Sequence, residues 1–134
     1  MSDEDYEYLD TWVWTKDRYV YRNECGKIYM HIEVFKRMGL PFKDVVDHKD
    51  RNPLNNQRCN LRAATISENA ANRGSKSIYR FRGVRKCNNK HNPWVVHVYG
   101  KTYGPFPNEE QAARIRDSLA KAIWGEFAIL NFPD

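Results

Sequence analysis

The chain has 134 residues, 22 Lys and Arg against 17 Asp and Glu, a formal net charge of +5, and four Trp, eight Tyr and six Phe. That length holds one domain or two very small ones, and small cores need bulky aromatics because a domain of about 60 residues buries only about 60% of its unfolded surface. No run approaches the ~20 apolar residues that cross a bilayer, and the scattered Cys25, Cys59 and Cys87, with no C-x-x-C pair, argue against a disulfide framework or a zinc knuckle.

The acidic start, MSDEDYEYLD, lacks the apolar run of a secretory signal. A soluble, cytoplasmic protein with no membrane partner is expected. Next, TWVWTKDRYVYRNECGKIYMHIEVFKRMGLP predicts short strands followed by a helix over 32–38, stopped by Gly39 and Pro41. DVVDH predicts a strand and VDHKDRNPLNNQRCN a polar loop, rich in turn-forming Asn, Asp and Pro. NLRAAT predicts a second strand and SENAANR a helix beginning near Thr65 or Ser67. Gly74-Ser75-Lys76-Ser77 reads as a linker.

Three strand candidates follow in YRFRGVRKC, NPWVVHVYG and KTYGPFP. A helix then begins at Asn108 as N-cap and ends at Gly125, with Ala112, Ala113, Ile115, Leu119, Ala122 and Ile123 on one face. The domains expected are 1–73, a linker at 74–78, and 79–134. Charge divides unevenly along this order. Residues 1–24 carry seven acids against three bases, whereas residues 76–107 carry seven bases and no acid. With Tyr79, Phe81, Trp94 and Tyr99 interleaved, that block predicts a footprint for a polyanion.

The chemistry is concentrated in the middle. Asp47 and His48 end one strand, Asn60 comes twelve residues after His48, and Asn69 nine residues later. Two strands and a helix packed across them would put Asp47 and His48 on one side of a cleft and Asn69 on the other. Those are the parts for single-metal phosphodiester hydrolysis: oxygen donors for a hard cation and a base for water. Asp47 and the Asn69 amide oxygen are the metal candidates, with open positions that suit Mg²⁺, and His48 is the base candidate. Asn60 cannot exchange protons usefully but can brace a loop. Asn55 and Asn56 read as turn closers.

Several residues keep two readings. Asn72 faces either the same cleft or the helix end. Arg51 and Arg62 are either phosphate contacts or solvated charges. His31 either packs or touches the site.

VDHKDRNPLNN, NLR and SENAAN, preceded by MHIEVF, resemble the HNH endonucleases of ββα-metal type, and most closely their free-standing bacteriophage and intron-encoded homing members. The resemblance spans about Tyr29 to Asn72. It implies His48 as general base, Asp47 and Asn69 as ligands of a divalent ion (Mg²⁺, with Mn²⁺ as a substitute), and Asn60 as the brace, with double-stranded DNA as substrate.

YRFRGVRK, the W-VVHVYGK strand region, NEEQAARIRDSLAKAIWG and GEFAILNFP together resemble an AP2-type DNA-binding domain over Tyr79 to Pro133. That implies three antiparallel strands backed by one helix, with the sheet in the major groove. The overall class is therefore α+β. The groove candidates are Arg80, Arg82, Arg85, Lys86, His97, Tyr99 and Lys101. Alternation ranks Arg85 ahead of Arg82, turns Val84, Val96 and Val98 toward the helix and His97 and Tyr99 outward, and gives Trp94 the inner face.

The resulting expectation is a monomeric DNA endonuclease without an obligate protein partner, its lone active site nicking one strand by default. The alternative is a DNA-binding regulator with a vestigial nuclease fold.

Overall fold

The computed structural model describes residues 2–74 and 79–133. They belong to two compact units, Met1–Ala70 and Ala71–Asp134. Apart from Gly74, the expected linker lies outside the described residues.

The first unit opens with a helix that the sequence reading did not assign, α1 (Asp3–Leu9). Asp3, Glu4 and Asp5 in its first turn suit the positive end of the helix dipole. Leu9 and Asp5 are fully buried. Asp5 accepts two hydrogen bonds from Arg58 (2.9 and 2.8 Å) and one from Arg37 (2.9 Å). The Arg58 bonds, against burial and with help from Arg37, hold its carboxyl below the usual range.

Strands β1 (Thr15–Lys16), β2 (Val20–Asn23) and β3 (Lys27–Tyr29) form an antiparallel sheet in that order. Arg22 on β2 is buried with its guanidinium 3.7 Å from the Trp12 ring centroid and 5.4 Å from that of Trp14. Cation–π attraction there compensates for Nε and Nη1, which have no hydrogen-bond partner among the described residues.

Helix α2 (Met30–Met38) starts two residues before the expected boundary, because Tyr29 leaves β3 in extended geometry and serves as its N-cap. Gly39 closes it at φ 69°, the left-handed conformation that glycine adopts without a Cβ clash. Met30, Val34 and Phe35 pack with Leu9, and with Val46 and Leu61 of the next two strands. Truncating a fully buried Phe such as Phe35 costs about 3–5 kcal/mol.

Those strands, β4 (Val45–His48) and β5 (Leu61–Ala64), pair antiparallel with Val45 opposite Ala64 and His48 opposite Leu61. A 3₁₀ turn over Arg58–Asn60 leads into β5. Helix α3 (Ile66–Ala71) follows after one residue. Thr65 and Glu68 form a reciprocal capping box: Thr65 Oγ1 accepts from the Glu68 N–H at 3.1 Å, and Glu68 Oε2 accepts from the Thr65 N–H at 2.9 Å. Asp44 accepts from the Ile66 N–H, and Lys43 pairs with Glu68. The start of α3 is thus tied to the entry of β4.

In the second unit β6 (Val84–Lys86), β7 (Trp94–Val98) and β8 (Lys101–Phe106) form an antiparallel sheet in chain order, and α4 (Glu109–Trp124) covers one face. Val84, Val96 and Val98 meet Ala112, Ala113 and Ala120 in its core, with Trp94 partly buried against them. Asn108 caps α4 by accepting from the Gln111 N–H, a bond worth about 1 kcal/mol. The first strand is shorter than the sequence suggests. Gly83, at φ 75°, bends the chain where a Cβ would lie 2.9 Å from Arg116 Cγ. Asn131 also takes up both the N–H and the carbonyl of Arg82. The tail is held in turn by Asp117, which accepts from the Asn131 and Phe132 N–H groups at 2.9 and 2.8 Å.

Candidate active site

Alternation along β4 sends neighbouring side chains to opposite faces. Val46 and His48 turn toward α2, as Leu61 does on β5; Asp47 turns the other way, toward Arg62, its direct cross-strand partner. This corrects the expectation that Asp47 and His48 share one side of a cleft: they flank the end of the strand.

On the α2 face, His48 is buried. Its Nε2 lies 3.0 Å from Asn56 Oδ1. Its ring centroid is 4.9 Å from that of His31 and 6.2 Å from that of Tyr19. His31 is itself buried, and its Nδ1 has no hydrogen-bond partner among the described residues. Burial first, and then the nearby charge of His48, lower its pKa to about 4, so His31 stays neutral. His31 shows both features of its two readings: it packs against the Tyr19 and Tyr29 rings, and it lies against His48.

On the other face, Arg62 Nε donates to Asp47 Oδ2 at 2.8 Å, with both side chains largely buried. The guanidinium there orients the carboxylate through a charge-assisted hydrogen bond.

The loop between the strands is a web of short polar bonds. Asn60 Oδ1 accepts from the Asp50 N–H, while Asn60 Nδ2 donates to Asp50 Oδ1 and to the Asn55 carbonyl, each at 2.9 Å. Asp50 also accepts from Asn55 Nδ2 and the Asn52 N–H, both at 2.8 Å. Burial raises the Asp50 carboxyl pKa, but those bonds and the His48 charge outweigh it and leave it lowered. The Lys49 N–H reaches the Asn60 carbonyl and the Arg51 N–H the His48 carbonyl, with Arg51 at φ 63°. Its side chain is exposed beside the strand end.

Asn69 lies in α3 with its N–H on the Thr65 carbonyl, and Asn72 is buried just past the helix end. Asp47 and Asn69 offer a carboxylate and a carboxamide, the hard oxygens that a Mg²⁺-class ion prefers. Among the described residues no group of three His, Cys, Asp or Glu comes together to hold an ion. A carboxylate and a carboxamide are donors that fit an ion whose remaining ligands come from water and phosphate.

On the second unit, Arg85, Val95, His97 and Thr102 share the sheet face away from α4 by register. Arg85 and His97 are exposed, with His97 Nδ1 3.2 Å from Thr102 Oγ1. Lys86 and Lys101 have the parity of the helix side yet are exposed at strand ends. Tyr99 is 61% exposed in the β7–β8 turn, and Arg80 is exposed over the Phe81 ring. Arg82, half-buried, donates to the Ala71 and Arg73 carbonyls. The neighbours that sequence reasoning did not assign are Asn56 beside His48, expected to be a turn closer, and Arg62 as the partner of Asp47. Arg62 is largely buried and is not the solvated charge that one reading offered. A buried amide near a base gives no sequence signal, but the Arg62 pairing follows once the hairpin register is set.

No helix among the described residues is long and apolar enough to cross a membrane. No solved structure matches the chain. A relative, the uncharacterized HNH endonuclease L560 of Acanthamoeba polyphaga mimivirus, is 34% identical over 125 residues, which cover 90% of this chain and 66% of the relative. The family model described as HNH endonuclease matches residues 16–71, from β1 through α3. The segment that holds Asp47, His48, Asn56, Asn60 and Asn69 thus carries an HNH endonuclease domain.

Proposed function

We propose that the chain is a metal-dependent endonuclease of homing type that hydrolyses phosphodiester bonds in double-stranded DNA. The observation that carries this reading is the pair of faces at the end of β4: an oriented carboxylate at Asp47 and a buried, packed imidazole at His48. His48 accepts the proton of the attacking water. Asp47 and Asn69 hold a divalent ion, Mg²⁺ or its substitute Mn²⁺, which when bound stabilises charge on the phosphate. Arg62 aims Asp47, and Asn60 braces the loop that follows His48. Arg51 and Asn72 are each assigned contacts to DNA phosphate.

The C-terminal unit is, in this proposal, an AP2-like module that positions the nuclease. Its exposed Arg85 and His97 enter the major groove, with Arg80, Lys86, Tyr99 and Lys101 gripping its edges. Tethering this module raises the effective concentration of a nuclease that reads few bases itself. One site per monomer makes a nick the expected product. A plasmid-cleavage assay with added Mg²⁺, run on wild type and His48→Ala, tests the proposal. Wild-type nicking that is lost in the variant and with chelator is the expected result; a wild type that binds DNA but never cuts it would point to the vestigial alternative.

A further inference from the structure

We propose that Asn56 is a positioning residue that fixes the tautomer of His48, so that Nε2 carries the proton and Nδ1 presents the lone pair. The inference rests on the nuclease reading for its consequence, but its geometry is independent of it. Asn56 Oδ1, an acceptor, stands 3.0 Å from His48 Nε2. An amide oxygen accepts only from a protonated ring nitrogen, and a neutral imidazole has one such nitrogen. The bond therefore leaves Nδ1 unprotonated, and a base must present that nitrogen to water.

Asn56 is itself held firmly. It is 1% exposed, a burial at which a polar side chain needs its partner. The carbonyl that Asn60 Nδ2 grips at 2.9 Å belongs to the Asn55–Asn56 peptide, and the Asn55 side chain is fastened to Asp50. A relay runs from Asn60 through that peptide to Asn56 and on to the ring of His48. Packing adds a second constraint, since the His31 and Tyr19 rings limit how the imidazole can turn. Packing fixes the ring plane, and Asn56 chooses which nitrogen bears hydrogen.

The test uses the full chain labelled with ¹⁵N, and long-range ¹H–¹⁵N spectra of the histidine rings above the imidazole titration range. Wild type is expected to show His48 as a single Nε2–H tautomer. Asn56→Leu, which keeps the volume and removes the acceptor, is expected to give an averaged mixture. Asn56→Asp, which keeps an acceptor oxygen, restores the single form. In nicking assays Asn56→Leu lowers kcat by about 10–100-fold, the cost typical of losing a partner that orients a functional histidine, while KM for DNA holds. A wild-type Nδ1–H tautomer, or a wild-type mixture no different from that of Asn56→Leu, overturns the proposal, and the wild-type spectrum alone can do so if the variant fails to fold. A single Nε2–H tautomer in a wild type that does not cut DNA upholds the hydrogen bond and overturns only the nuclease reading.

Discussion

Asp47 and Arg62 face each other directly across β4 and β5 and are joined at 2.8 Å with side chains 5% and 12% exposed. The geometry makes Arg62 the cross-strand counter-ion of a carboxylate that water scarcely reaches, so its loss removes one side of a buried ion pair. Arg62→Leu is expected to lower stability by about 3–5 kcal/mol, the usual result of breaking a buried pair from one side. Urea unfolding of wild type and variant measures this. A loss under about 1 kcal/mol would mean the pair is solvated like a surface one.

Asp47→Ala and Asn69→Ala are each expected to abolish nicking while leaving DNA affinity within a few-fold, because both residues are assigned to the ion and neither to the groove. Gel-shift titration beside cleavage in Mg²⁺ separates the two effects. Asp47→Ala cutting at the wild-type rate would remove it from the metal site.

His31 gives the fold an acid sensitivity of defined sign. Its pKa is about 4 in the folded chain against 6.5 for an ordinary histidine. Below 6.5 the unfolded chain takes up a proton that the folded chain refuses, so stability is full above that pH and falls as pH drops toward 4. The slope is at most about 1.4 kcal/mol per pH unit. Replacing His31 with Leu should flatten this part of the profile. Parallel curves for variant and wild type from pH 7 to 4 would show that the imidazole does not contribute.

Arg85 stands on the open face of the C-terminal sheet. Arg85→Ala is expected to weaken DNA binding by about 1–3 kcal/mol and relax preference at one base pair if it reads a base, or to weaken all sequences alike and flatten the salt dependence if it grips phosphate. Affinities for a randomised duplex pool at two salt concentrations distinguish these outcomes. Unchanged affinity at every sequence and salt would take the sheet face out of the DNA contact.

The elements whose periodicity and boundary residues agree were readable from the chain. Helix α4 has Asn108 at its start, Gly125 at its end and Ala112 and Ala113 on its buried face. Ala122 and Ile123, expected on that face, are exposed, and Arg116, Asp117 and Ala120 are buried instead. Strands β4 and β5 are short apolar runs around a turn-rich loop. Helix α1 was not readable as an element, because its few apolar residues form no repeating face and its burial depends on Arg37 and Arg58, distant in sequence. The partners of the site are of the same kind. Asp47 and His48 stand out by their order and spacing, but Asn56, His31 and Arg62 acquire meaning only when the loop closes and the register is set. The opposite facing of Asp47 and His48 was available from strand alternation alone.

That opposite facing makes the hairpin's alignment a chemical variable. Were β4 to slide by one residue against β5, Asp47 would be driven against the apolar side chains of α2 and His48 would be thrown out toward Arg62, so acid and base would trade places. The bolt against such a slide sits at the loop end, where Asn60 fastens both Lys49 through its backbone and Asp50 through its side chain. Seen this way, Asn60 guards the phase of the two strands, and its replacement by Ala would yield a hairpin that still folds but wanders between alignments, visible as doubled amide resonances along β4.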